Sequence, residues 1–568
     1  MITPRVWAPH ARSVALVAAG AERPLRDAGG GWWEHAAGLA HGDRYAFRVD
    51  GGPPLPDPRA VRLPEGVHGP AEAYDHGRFA WTDDGWTGRP LAGGVIHEVH
   101  VGTFTPAGTL DAAAERLAYL AELGITHVEL MPLASFDGPR GWGYDGAGIW
   151  AVHEPYGGPD HAAGLAVVLD VVHNHLGPSG NHLGAFGPYF TGRHHTPWGL
   201  ALNLDDRGSD EVRAWMIGNA VSWLRDFHLD GLRLDAVQTL VDDRAVHVLE
   251  ELSAEVDALA ASLGRPLTLI AETDRNDPRT VTPRGAGGLG IHAQWDDDLH
   301  HALHALLTGE RQAYYVDFGT LDVLAHVLGH AFLHDGRWSG FRGRSHGRPV
   351  DRERTEGWRF VVSLQTHDQV GNRATGDRLT ALAEPALLRI GAALLLTSPF
   401  TPMLFMGEEW GASTPWCYFT SFPDRELGAA VTEGRRREFA EHGWPLEDVP
   451  DPQDPATFAA SRLDWDERGR TPHAETLDWY RRLIALRRDE PDLRDPRLDR
   501  VHSEWDEDAR WIVVHRGRFR VAVNLGAAGA SLPLGATGTG IRLATPDGAV
   551  LDGDRVRVPG RGCAIVAT

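Results

Sequence analysis

The run Gly231-Leu232-Arg233-Leu234-Asp235-Ala236 brings an arginine and a carboxylate, two positions apart, to the end of a short apolar segment. On a strand, residues i and i+2 point to the same face. A guanidinium beside a carboxylate favours its ionised form and fixes its orientation. Such a carboxylate can attack a sugar carbon as a nucleophile. Three other apolar runs also end in polar groups: DVVHNH (170–175), LTLIAE (267–272) and LQTHD (364–368). Together they deliver Asp170, Asp235, Glu272 and Asp368 to the ends of candidate parallel strands.

Acids converging on one rim serve either metal binding or acid/base chemistry. Metal sites pack carboxylates or histidines as mutual ligands, and here Arg233 competes with a cation. Carbohydrate chemistry is the better reading. A retaining glycosidase needs two carboxyls only ~5 Å apart, one as nucleophile and one as acid/base. Asp235, next to Arg233, is the expected nucleophile. Glu272 follows the apolar run LTLIA, which suits a general acid with a raised pKa. Asp368 would stabilise the cationic sugar. His175 and His367 would hydrogen-bond hydroxyls, and Tyr144 would offer a ring face. The expected pH–rate profile is bell-shaped, with its acid limb from Asp235 and its alkaline limb from Glu272. Taken singly, each acid reads as a solvated loop residue or a structural partner of an arginine; four such motifs in this order do not.

Eight strand candidates position these groups. They are VIHEVHVGTF (95–104), THVELMPL (126–133), LAVVLDVV (165–172), GLRLDA (231–236), LTLIAE (267–272), IHAQWD (291–296), VVSLQTHD (361–368) and PMLFMGEEW (402–410). Helical patterns lie between several of them. Thr109 can cap a helix carrying Leu110, Ala113, Ala114, Leu117 and Leu120, with Gly124 as its stop. Ser209, Asp210 and Glu211 can open another, with the stripe Val212, Trp215, Met216, Trp223, Leu224 and Phe227. A third is expected around 244–263. Strands alternating with helices imply a parallel sheet, and eight of them a closed (β/α)8 barrel of the TIM type, an α/β fold. Its catalytic groups belong at the C-terminal strand ends.

Before about residue 92 the chain reads as all-β, with two-residue alternation at Val14, Leu16 and at Tyr45, Phe47, Val49. After about 498 it returns to β, with Phe519, Val521, Val523 and Leu525 alternating beyond a turn near Gly517. Three domains are expected: a β-sandwich over 1–92, the barrel over 93–497 and a second β-sandwich over 498–568.

Fifty-five basic and 78 acidic residues give a net charge of −23, which argues against nucleic-acid or anionic-membrane partners. Cys417 and Cys563 form no disulfide framework. The first residues lack the apolar core of a signal peptide, and the longest apolar run, Ile390 to Leu396, is far short of a membrane span. A cytoplasmic protein is expected. The 20 tryptophans serve packing for the larger part and sugar stacking for the rest. Trp295 suits either role. HALHALL (301–307) reads as an amphipathic helix, and Glu408 and Glu409 as structural.

DVVHNH, GLRLDAV, IAE and THD match, in order, the four signature regions of the alpha-amylase family of glycoside hydrolases. The resemblance spans nearly the whole chain. It implies a retaining double displacement at an α-glucosidic bond, with Asp235 as nucleophile, Glu272 as acid/base and Asp368 as transition-state stabiliser. It makes Arg233 and Asp170 orienting groups and His175 and His367 sugar ligands, and Asn174, like Asp170, is expected behind the groups that touch the sugar. VWAPHARSVAL resembles the N-terminal module of the branching and debranching members. LPDPRAVRLPEGVHGP, the stretch HEVHVGTFTPAGTLDAAAERLAYLAELGITHVELMPL, GWGYDG and GPYFTGRHHTPWG are similar to the trehalose-releasing branch of the family. That branch implies maltooligosyltrehalose as substrate, supplied by a maltooligosyltrehalose synthase, and no cofactor. Asn174 stands at a calcium position of many amylases, but no metal is expected here.

Two departures stand out. Only His161 to Gly164 separate Asp160 from the run beginning at Leu165, too few for an average helix of ~11 residues. The second barrel helix is therefore expected to be missing, leaving the outer faces of the neighbouring strands without cover. Gln238 stands where many relatives carry histidine. The alternatives are a glucan branching enzyme, an α-1,6 debranching hydrolase and a glucan-binding protein with an impaired barrel.

Overall fold

A computed structural model describes residues 1–160, 166–441 and 449–568. Eight short strands close into a parallel barrel: Ile96–Val99 (β1), His127–Leu130 (β2), Ala166–Val171 (β3), Gly231–Leu234 (β4), Thr268–Ala271 (β5), Ala293–Trp295 (β6), Phe360–Ser363 (β7) and Thr401–Phe405 (β8). Each pairs with the next in sequence, and β8 returns to β1 with Met403 opposite Ile96. All eight expected strands are present, in the expected order. Strands buried on both faces must be apolar throughout unless a polar group is satisfied inside, and Glu98, Glu129, Asp170 and Arg233 all fall in the C-terminal halves of their strands.

The pleat explains that distribution. Ile96, Val168, Ile270, Ala293, Val361 and Met403 form one small cluster inside the barrel. One step of two residues further along the same faces come Glu98, Asp170 and Glu272, and Asp235 follows Arg233 in the same way. An apolar floor therefore underlies a polar storey.

Outside the barrel, Leu169, Val171, Leu232, Leu234 and Leu269 pack in one cluster with Val212, Trp215, Met216 and Trp223 of the helix Ser209–Arg225. The same cluster holds Val248, Leu252 and Val256 of the helix Val248–Leu263. Thr109 caps the helix Leu110–Ala114 through Ala112 N, a second helix runs Leu117–Leu123, and Gly124 ends it at φ +99°. The helix expected to open at Ser209 does so, running Ser209–Arg225 with Asp210 and Glu211 in its first turn and Gly208 in the cap position at φ +83°. HALHALL lies within the helix Asp297–Thr308.

The expected gap after Asp160 falls on residues 161–165, which lie outside the described residues. Among the described residues between β2 and β3 there is no α-helix, only the hairpin Ala134–Ser135/Gly148–Val152 and two short 3-10 turns. The outer faces are nonetheless covered: Val128, Leu169 and Val171 are buried. Leu169 and Val171 share their cluster with Ile149, Ala151 and Val152 of the hairpin. Leu169→Ala is therefore expected to destabilise the barrel by about 2–5 kcal/mol, read as a lowered thermal unfolding midpoint. An unchanged midpoint would show that this face is not a packed interface.

The flanking sheets follow the alternation read from the sequence. In the N-terminal part Val14, Leu16 and Ala18 sit directly opposite Val49, Phe47 and Tyr45. Asp230, at the foot of β4, ties this part to the barrel: it accepts from Trp86 Nε1 at 2.7 Å, Arg265 Nη1 at 2.8 Å and Val167 N at 3.0 Å. At the C-terminus a five-stranded sheet faces a three-stranded one, with Val513, Ala522, Leu532, Val556 and Val566 between them. The row Phe519, Val521, Val523 lies on the other face of the larger sheet and packs into the barrel-side cluster. No described helix is long and apolar enough to cross a membrane.

Candidate active site

Arg233 is the hub of the polar storey and has no solvent exposure. Its Nη1 donates to Asp235 Oδ1 at 2.6 Å and to both oxygens of Asp170 at 2.9 Å. Its Nη2 lies 3.8 Å from Glu272 Oε2. Strands β3, β4 and β5 thus bring three carboxyls to one guanidinium, because Asp170 and Arg233 are register partners on adjacent strands. The Arg233 guanidinium also sits 4.3 Å over the ring of Trp295, so that tryptophan supports the arginine from β6. Cation–π contacts of this kind gain strength when desolvated.

The attacking position is held from two sides. Asn174 Nδ2 donates to Asp235 Oδ2 at 2.6 Å and to its carbonyl at 2.9 Å, opposite the Arg233 bond. Ala236 then turns the chain at φ +40°, a left-handed conformation that costs a non-glycine residue free energy. That turn aims the Ala236 N–H at Glu272 Oε2, 2.5 Å away. Tyr144 donates to Asp170 Oδ2 at 2.5 Å, and its ring stacks on His367 at 5.1 Å.

Electrostatics mark out Glu272. Burial pushes Glu272 up to about 8; Arg233 and the Ala236 N–H oppose this, and the charges of Asp235 and Asp368 reinforce it. A carboxyl that keeps its proton near neutrality can serve as a general acid. Burial likewise raises Asp170 to about 6 against the pull of Arg233.

Asp368 is the open member. Its side chain is 46% exposed, and its Oδ1 lies 3.5 Å from His367 Nε2. Asn372 Nδ2 donates to the same oxygen at 3.2 Å. With Glu272 and Trp295 it lines a cleft whose walls also carry Asp274, His301, Tyr314, Phe341 and Arg342. His175 meets Asn174 Oδ1 at 2.5 Å and the Tyr144 carbonyl at 3.0 Å, so both ring nitrogens are engaged by protein groups. Its ring stacks on the half-exposed Trp198 at 4.2 Å. Gln238 follows Asp235 on a 3-10 turn, and its carbonyl accepts from Arg275. Glu408 and Glu409 lie apart from these groups, bonded to Tyr480 and Tyr119 respectively.

All nine residues singled out from the sequence therefore gather at one rim: Tyr144, Asp170, Asn174, His175, Arg233, Asp235, Glu272, His367 and Asp368. Several further neighbours join them. Asp297, pushed up to about 7 by burial and then by the charge of Asp368, is signalled in the sequence only by the acidic run that follows β6. Glu98 is visible there as a polar residue inside an apolar strand. Tyr314, Phe341 and Arg342 arrive on long connections and carry no local signal.

A closed parallel barrel with flanking β-sheets and acids gathered at its C-terminal rim is the architecture of the alpha-amylase class of glycoside hydrolases. The crystal structure of a candidate alpha amylase from Salmonella typhimurium matches it with a TM-score of 0.91 and 36% identity, covering 100% of this chain and 97% of that one. A malto-oligosyltrehalose trehalohydrolase of Arthrobacter ramosus is 55% identical over 92% of each chain. One of Rhizobium sp. (strain M-11) is 50% identical over 99% of this chain and 97% of its own. A family profile described as a domain of unknown function (DUF3459) matches residues 496–565. The chain belongs to the malto-oligosyltrehalose trehalohydrolase family.

Proposed function

We propose that this chain hydrolyses the α-1,4-glucosidic bond next to the terminal trehalose unit of maltooligosyltrehalose, with retention, and releases trehalose. The observation that carries the reading is the shared guanidinium: Arg233 holds Asp235 and reaches Glu272 within one buried cluster, in a chain of this family. Two carboxyls this close suit a double displacement. Asp235 attacks the anomeric carbon while Glu272 gives its proton to the departing glycosidic oxygen, and trehalose leaves. Glu272, now ionised, takes a proton from water. The water oxygen bonds to the anomeric carbon and the Asp235 ester breaks, freeing the shortened maltodextrin.

Asp368, open to the cleft, faces the positive charge that develops on the sugar in each of these two steps. Asp170, Arg233 and Asn174 orient the attacking group. His175, His367 and Tyr144 shape the wall around the sugar. The cleft beyond Glu272, with Asp274, His301, Tyr314, Phe341 and Arg342, receives the trehalose. Polar side chains beside aromatic faces suit a disaccharide. The substrate would come from a synthase acting on maltodextrin, in the cytoplasm. We take residues 1–92 and 498–568 as the domains flanking a barrel over 93–497.

Incubation with maltotriosyltrehalose tests the reading. Trehalose and maltotriose in equal amounts are expected. Branched glucan without trehalose would point instead to a chain-transferring branching enzyme. Intact substrate over a cooperatively folded protein would point to a glucan-binding module.

A further inference from the structure

His367 is anchored from behind by a residue of the first strand. Its backbone N–H donates to Glu98 Oε2 at 3.0 Å, and its ring Nδ1 meets Glu98 Oε1 at 2.5 Å. Glu98 and His367 are each 1% exposed. The other ring nitrogen, Nε2, lies 3.5 Å from Asp368 Oδ1, on the side of the cleft. With Nδ1 donating to a carboxylate, Nε2 is an acceptor in the neutral ring and a donor in the cation. Only the cation puts an N–H, rather than a lone pair, towards Asp368 and a sugar hydroxyl. Tyr144 stacks on the ring at 5.1 Å and Trp142 meets it edge-on at 5.6 Å, so it cannot turn to exchange its two nitrogens.

We propose that Glu98 is a positioning residue for this reaction, clamping His367 through two hydrogen bonds so that its Nε2 presents an N–H to the sugar beside Asp368. The proposal rests on the glycosidase reading above.

The charges around the ring support this assignment. Burial by itself lowers His367; the carboxylates of Asp368 and Glu98 overcome it, against Arg233, and lift the ring to about 9. The neighbouring groups do not replace Glu98. Glu129 on β2 sits beside Glu98 in register. Both its oxygens lack hydrogen bonds, and burial, then the charge of Glu98, raises it well above the carboxylate range. Its surroundings therefore disfavour a charge on Glu129. Asp170 on β3 is engaged by Arg233 and Tyr144. His100, beyond β1, is lowered by burial to about 3 and is uncharged. Among the described residues, Glu98 is the carboxylate bonded to Nδ1.

Glu98→Gln keeps the shape and one acceptor but removes the charge. Carboxylates that orient a histidine in metal sites are worth roughly 10–100-fold, and a fall of that size in kcat/KM is expected. His367, which titrates at about 9 in the wild type, should lose its proton at lower pH because burial is then less opposed, and once it titrates below Glu272 the alkaline limb moves towards acid. In a His367→Asn background the same substitution should cost much less, since the imidazole is gone and only the backbone N–H of residue 367 remains for the clamp to hold. A uniform loss at all pH values, or full additivity with His367→Asn, would overturn the proposal. If Glu98→Gln does not fold, Glu98→Asp takes its place in the same cycle. A smaller loss is then expected in the wild-type background, and again much less once His367→Asn has removed the imidazole. Calorimetric titration of maltotriose against pH gives a reading that does not need turnover. A wild-type enzyme that releases no trehalose would refute the function, while a maltotriose affinity lost at lower pH in Glu98→Gln would still support the clamp.

Discussion

Asp235→Asn is expected to lower the kcat for trehalose release by on the order of 10⁴-fold or more, with sugar binding retained. The amide has the volume of the carboxylate but cannot form the covalent ester. Its local cost is also foreseeable. Asp235 accepts from Arg233 on one oxygen and from Asn174 on the other. An amide has only one acceptor atom, so one of these donors meets an NH₂ group instead. Leaving a buried donor unpaired costs about 1–3 kcal/mol, visible as a modestly lower unfolding midpoint. Measured by trehalose release at saturating maltotriosyltrehalose, with binding followed by calorimetry, a near-normal rate would exclude Asp235 as the nucleophile.

Glu272→Gln should lower kcat by roughly 10²–10⁴-fold, the usual span for a positioned proton donor, and should also change the form of the pH profile. In the wild type the acid must be protonated when the glycosidic bond breaks. Glu272 holds its proton up to about 8 because burial, with help from Asp235 and Asp368, outweighs Arg233 and the Ala236 N–H. On its alkaline side activity therefore falls as pH rises through that value. The glutamine has no proton to lose there, so the limb near 8 should vanish. A decline near 9 remains, where His367 gives up its charge. A wild-type limb that survives in Glu272→Gln would assign that titration to another group and remove Glu272 from the acid's place.

Much of this is legible in the chain because each signal is local. Arg233 and Asp235 are two residues apart, and the pleat makes them co-facial whatever the rest of the fold does. The runs before Asp170, Glu272 and Asp368 are apolar because both faces of those strands are buried. The alternation at Val14, Leu16 and at Tyr45, Phe47, Val49 is enough to identify strands that prove to be register partners. Where the signal is non-local, the sequence misleads or falls silent. The short connection after Asp160 implies bare outer faces beside β2 and β3, yet Leu169 and Val171 of β3 share a cluster with a hairpin and a neighbouring helix, and Val128 of β2 is buried in another. Nothing in the spacing of Ile149 or Ala151 says which strand they will cover. The row at Phe519 alternates as a sandwich strand does, and its packing towards the barrel depends on how two sheets are stacked.

The chain by itself determined the strand order and the acid-tipped rim, because pleat and burial act over a few residues. Only the closed barrel decided which groups meet. Glu98 and His367 are 269 positions apart in sequence, and their contact exists because β8 returns to β1. The cleft wall at Tyr314, Phe341 and Arg342 was decided in the same way: long connections carry those residues to the rim, and the distance between side chains on such connections is set by packing rather than by spacing along the backbone.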